Sequence, residues 1–186
     1  MRQYYYMIAS LPLLKSDSPP PFEVEDLYYS CRGNIQDADL ALLETVSLEP
    51  GDSAGFEMLK RWYDWETSLR NELVRLRSQK KAADSDKYLR EGDVFPGIPE
   101  VAREAFTQES PLSAEEILNR ARWAKLEELE AGHYFDMVKL MVYTLKLQLL
   151  QRQSRFTKEL GQEKFGAVYD QIHEDIQNAE KFGELS

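Results

Sequence analysis

The hydrophobic positions of this chain recur at steps of three and four, and hardly anywhere do they alternate with β-branched enrichment, so the pattern predicts helices throughout and no sheet. An apolar opening, Tyr4-Tyr5-Tyr6 through Leu14, is stopped by Ser18-Pro19-Pro20-Pro21, where each proline removes a donor and restricts the residue before it. Phe22 to Cys31 reads as a short helix ending at Gly33, and Asp37 to Val46 as a second, closed by Glu49-Pro50-Gly51-Asp52. Ser53 is a candidate cap for a long helix running to about Ala83, with a stripe of Phe56, Leu59, Trp62 (or Tyr63), Leu69, Leu73 and Leu76 that is interrupted once, by Glu66. Asp84 to Pro99 reads as a loop or lid over the bundle, followed by a short helix from Ile98 to Gln108. Ser113 and Glu116 form a capping-box pattern for the next helix, which Gly132 kinks or breaks.

From about His133 to Phe156 the residues are apolar nearly all round, which predicts a central helix surrounded by others. Lys139, Lys146 and Gln153, seven apart, keep one narrow polar seam on it. A last amphipathic segment carries Phe165, Val168, Ile172 and Ile176 on one face. The expected fold is all-α, a single irregular helical bundle spanning residues 1–186 with one long central helix and a loop or lid at about 84–99. Leu140, Val142, Leu145, Leu149, Trp62, Leu69 and Leu73 are its expected core.

Composition narrows the function classes. Hydrophobic residues make up 42% and charged residues 30% of the chain, as in a soluble folded protein, and the net charge of −10 argues against nucleic acid, whose phosphates need clustered cations. The apolar opening is too short for the roughly 18–20 residues of a spanning helix and lacks the cleavage pattern of a signal peptide, so no membrane insertion is expected. Cys31 is the single cysteine, which rules out an internal disulfide, suits a reducing cytoplasm, and reads as a small buried residue at a helix end.

Chemistry-bearing constellations are few. Two histidines and one cysteine leave most nucleophilic and metal schemes without parts. Glu130-x-x-His133 and Asp170-x-x-His173 could each present a carboxylate and an imidazole on one helical face, and with Glu66 they would make a carboxylate-bridged di-metal site of the kind built in helical bundles. The plainer expectation is that Glu66 pairs with Arg70, Arg75 or Lys146, because a carboxylate facing a core needs a cation, and that the histidines are ordinary residues; no cofactor is expected. The aromatic set of Tyr4, Tyr5, Tyr6, Tyr28, Tyr29, Trp62, Tyr63, Trp65 and Trp123 is expected in the core, with donors reaching polar partners at its edge. Arg75, Arg77, Lys80 and Lys81 gather positive charge on one helix of an acidic protein and are the candidate protein-contact patch.

The opening Tyr-Tyr-Tyr-Met-Ile-Ala with its proline block, the stretch Arg61 to Arg77, and Tyr143 to Phe156 followed by Gly161 to Ile172 together resemble a small bacterial family, a domain of unknown function encoded with bacterial V-type ATPases. More distantly they are similar to the C/d-type socket proteins of V/A-type ATPases, through Tyr4-x-Tyr6 with Ala9, the Glu/Arg-rich helix Glu66 to Arg77, and Tyr143, Lys146 and Arg152; Ser10 stands where those socket proteins usually carry arginine. The resemblance implies an all-helical, non-catalytic subunit or assembly partner: a reduced socket between the central stalk and the membrane rotor ring. Its partners would be stalk or ring subunits, and it would lie in the cytoplasm, peripheral to the membrane through the complex. A stand-alone helical adaptor is the other non-enzymatic expectation.

Overall fold

Between Met137 and Gln151 nearly every side chain is buried, so the segment that reads as apolar all round is the axis on which the fold is built. The computed structural model describes residues 4–82 and 84–156. Among these the fold is all-α, seven helices and no strand: α1 (Tyr5–Ser10), α2 (Val24–Cys31), α3 (Asp37–Thr45), α4 (Glu57–Lys81), α5 (Ile98–Phe106), α6 (Pro111–Glu130) and α7 (Met137–Ser154). The chain divides into two compact units, residues 1–151 and 152–186. The core lies in the first of them, and the expected final amphipathic segment lies outside the described residues.

All seven expected core residues are buried, with Leu140, Val142, Leu145, Leu149, Trp62 and Leu69 fully enclosed. Helices α4, α5 and α6 pack on one another. The polar groups of α7 reach out to the pieces around it: Tyr143 donates its hydroxyl to the Pro12 carbonyl (3.0 Å), and Gln148 both donates to the Val46 carbonyl (2.7 Å) and accepts the Leu48 N–H (3.1 Å). One side-chain amide thereby satisfies the backbone just after α3, where the helix has stopped supplying partners.

Helix ends depart from the sequence expectations where the backbone turns left-handed. Ala54 and Gly55 both have positive φ (48° and 76°), so the chain after Ser53 makes a turn in which Phe56 N–H meets the Ser53 carbonyl at 2.9 Å, and α4 opens only at Glu57. Ser53 therefore does not cap it. Helix α6 begins at Pro111, whose missing donor and fixed φ suit a first helical position, which leaves Ser113 inside the first turn rather than at the cap. At its other end α6 stops at Glu130, Gly132 takes φ 85°, and α7 restarts at Met137 under Asp136, whose Oδ1 accepts the Lys139 N–H at 3.1 Å.

The tyrosine run is only partly interior. Tyr4 is buried, its N–H on the Phe135 carbonyl and its hydroxyl on Asp39 of α3, while Met7 and Ile8 supply the apolar face of α1. Tyr5, Tyr6 and Tyr29 point outward, at 55%, 88% and 75% exposure, contrary to the expectation of core positions. Helix α1 is short, and one face of so few residues cannot carry three consecutive rings inward. The segment before α5, which begins at Ile98, is tied to α4 by side-chain bonds. Asn71 brackets Arg90, accepting its N–H (2.9 Å) and donating to its carbonyl (2.7 Å), Ser68 Oγ accepts the Phe95 N–H (3.3 Å), and Lys125 sits over the Phe95 ring.

Candidate functional site

Glu66 is 1% exposed on the inner face of α4. Arg122, buried on α6, meets it with a two-pronged bond, Nε to Oε2 at 3.0 Å and Nη2 to Oε1 at 3.1 Å, and Arg70 Nε adds a third at 2.8 Å. The far nitrogen of Arg122 reaches Glu115 and the Asn119 side-chain oxygen, both at 3.2 Å. Burial works against the Arg122 cation, but the Glu66 and Glu115 carboxylates more than offset it and raise its pKa. Of the partners expected for Glu66, Arg70 is one; Arg75 instead donates to Glu72 at 3.0 Å, and Lys146 goes to Glu130. The partner that the sequence pattern alone did not name is Arg122. Its signal was available: between Leu118 and Leu126, at steps of four, it interrupts the apolar stripe of α6 as Glu66 interrupts that of α4.

The second cluster explains the polar seam of α7. Lys139 and Lys146 converge on the two carboxylate oxygens of Glu130, Lys146 at 2.5 Å, and the Lys146 ammonium also lies 5.1 Å over the Trp123 ring. Burial alone would raise the Glu130 pKa, but the hydrogen bonds and charge of the two lysines prevail and hold it below the usual carboxylate value. His133 lies beyond the end of α6, where Nδ1 pairs with Asp136 at 2.6 Å. Glu130 and His133 therefore do not share a helical face, because Gly132 breaks the helix between them. Asp170 and His173 lie outside the described residues. Among the described residues no three His, Cys, Asp or Glu side chains gather as a metal site, and Glu66 and Glu130 spend their oxygens on cations.

Buried hydroxyl and thiol groups are held in their neutral forms. Cys31 is fully buried at the end of α2 and burial pushes its pKa up to about 11; burial likewise takes Tyr143 and Tyr28 to about 12. Such groups pack and donate hydrogen bonds; a thiol at that value is a poor nucleophile at neutral pH.

Surface features concentrate at the two ends of α4. At its C-terminal end Arg77, Lys80 and Lys81 are exposed, Arg75 is half-buried beside Glu72, and Lys80 lies 5.6 Å from the Phe106 ring of α5. At its N-terminal end a cleft of about 310 Å³ opens between Phe56 and Met58 on one side and Leu129, His133 and Met137 on the other. Beside it the α6–α7 turn carries Tyr134 and Phe135, and the Tyr5 ring lies 4.6 Å from that of Phe135.

These features define a helical body braced by two ionic clusters. Residues 91–176, which include α5, α6 and α7, match a family model described as Protein of unknown function (DUF2764). No curated protein and no solved structure matches the chain.

Proposed function

We propose that this chain is a non-catalytic subunit or assembly partner of a bacterial V-type ATPase, a reduced counterpart of the C/d-type socket that works in the cytoplasm, held at the membrane through the complex. The observation that carries the reading is the use to which the socket-like positions are put. Tyr4 ties the chain start to α3 and to the α6–α7 turn, Glu66 locks α4 to α6, and Tyr143 and Lys146 fasten α7 to Pro12 and Glu130. The residues that carry the resemblance serve to stiffen a body, which is what an adaptor between a turning shaft and a membrane ring requires. Arg75, Arg77, Lys80 and Lys81 are its contact patch for an acidic stalk or ring surface, with complementary charge acting mainly on the rate and orientation of docking.

The test is affinity purification of the tagged full chain from its native host under mild detergent. Recovery of central-stalk or ring subunits in stoichiometric amount supports the reading. A chain recovered without any of them overturns it and leaves a stand-alone adaptor.

A further inference from the structure

The basic patch and the aromatic cleft stand at opposite ends of one rigid element. The 25 residues of α4 span about 37 Å at 1.5 Å per residue. At the cleft end, Tyr6 (88% exposed) packs on Tyr5 and Tyr5 on Phe135, with ring centroids 5.6 and 4.6 Å apart, and Tyr134, the residue before Phe135, is 70% exposed. That much exposed aromatic surface in one place marks an interaction site more often than a solvated face. We propose that this end of α4 is a second docking surface, taking a Lys- or Arg-bearing protein segment whose apolar side chain enters the cleft; the proposal deepens the adaptor reading and rests on it.

The chemistry of the occupant follows from charge. Tyrosine ring faces attract cations. The Glu57 carboxylate at the cleft is exposed and accepts no hydrogen bond among the described residues; of the groups near it, Lys60 feels its charge but is bonded to Asp64 at 2.8 Å, Arg61 is engaged by Glu128 at 3.4 Å and His133 by Asp136. The chain as a whole carries a net charge of −10. A cationic segment is therefore matched here, as an acidic one is at the Arg75–Lys81 end. An anionic lipid surface, which also attracts aromatic rings, is disfavoured by the same charge.

The experiment measures binding of the full chain to purified V-type ATPase central-stalk subunits and to the detergent-solubilised rotor ring, at low and moderate salt. Three variants are compared: Tyr6→Ser/Tyr134→Ser, which alters only exposed rings, Glu57→Lys, and Arg75→Glu/Arg77→Glu/Lys80→Glu. The first two should each weaken binding to one component at least tenfold with helicity and melting unchanged, Glu57→Lys losing more at low salt. Unaltered binding by the tyrosine variant overturns this surface while leaving the adaptor reading in place. If the wild-type chain binds neither stalk nor ring, the adaptor reading fails and this surface falls with it. Co-sedimentation of wild type, but not of the tyrosine variant, with phosphatidylserine vesicles would mean a lipid occupant and would also overturn the proposal.

Discussion

A carboxylate with three guanidinium bonds and almost no access to water has a defined energetic signature. Removing Arg122 leaves Glu66 as a buried charge held by Arg70 alone, so Arg122→Met should cost about 3–5 kcal/mol of unfolding free energy, whereas Glu66→Met/Arg122→Met should recover much of that loss because both desolvation penalties disappear together. Urea melts of the two variants against wild type measure it; a double variant as unstable as the single one would mean that the loss comes from the other contacts of Arg122, to Glu115 and Asn119, and not from a stranded Glu66 charge. Leu145→Ala, at a fully enclosed position of α7, should cost about 2–5 kcal/mol in the same melts. Glu66 was legible in the sequence because it interrupts an apolar stripe, and the demand for a cation partner followed from burial. The identity of that partner did not, since Arg122 is 56 positions away, and a choice among the chain's many basic residues is made by the packing of α4 on α6, which periodicity does not encode.

The elements themselves were more legible than their ends. The long apolar run becomes α7 and the breaker stands at Gly132, but the helix opens at Met137 and not at about His133, because the chain turns after Gly132 and Asp136 takes the capping position. The starts of α4 and α6 were misread because Ser53 and Ser113 have the chemistry of a cap but not the backbone. A left-handed turn at Ala54–Gly55 and a proline at the first position of α6 decide instead. Two predictions belong here. The depressed pKa of Glu130 means that its contribution to stability is complete above the ordinary glutamate value of about 4.3 and is lost as pH falls through the lower folded value. Glu130→Gln should therefore be less stable than wild type at pH 7, with the gap closing in acid, as thermal melts between pH 7 and 3 would register. Asn71→Ala removes both bonds to Arg90; amide exchange of residues 88–95 should quicken by tenfold or more, while the amides of α7, protected by global unfolding, change far less.

At the scale of the whole molecule, a chain of net charge −10 carries a helix, α4, whose last turn is basic. No helix among the described residues is long and apolar enough to cross a membrane. Arg75→Glu/Arg77→Glu/Lys80→Glu should leave the helical circular dichroism signal and the melting midpoint nearly intact, because these residues are exposed or only half-buried. The same variant should reduce recovery of V-type ATPase subunits several-fold, most clearly at low ionic strength. Normal recovery would mean that those charges are a solvated face. The patch was legible in the sequence by its run of cations alone; the cleft was not, because its walls come from Phe56 and Met58 on one stretch and Leu129 to Met137 on another far along the chain.

The placement of the indoles has a use in the laboratory. All three tryptophans belong to α4 and α6, each is buried, and Trp62 and Trp65 are stacked with centroids 5.7 Å apart. None lies after Trp123, so residues 152–186 contribute nothing to tryptophan emission. The native spectrum should be that of shielded indoles, and its red shift on denaturation is a label-free optical reporter of the α4–α6 junction. Compared with a far-ultraviolet dichroism trace, which sums every helical residue, it separates the melting of the first unit from whatever the remainder of the chain does.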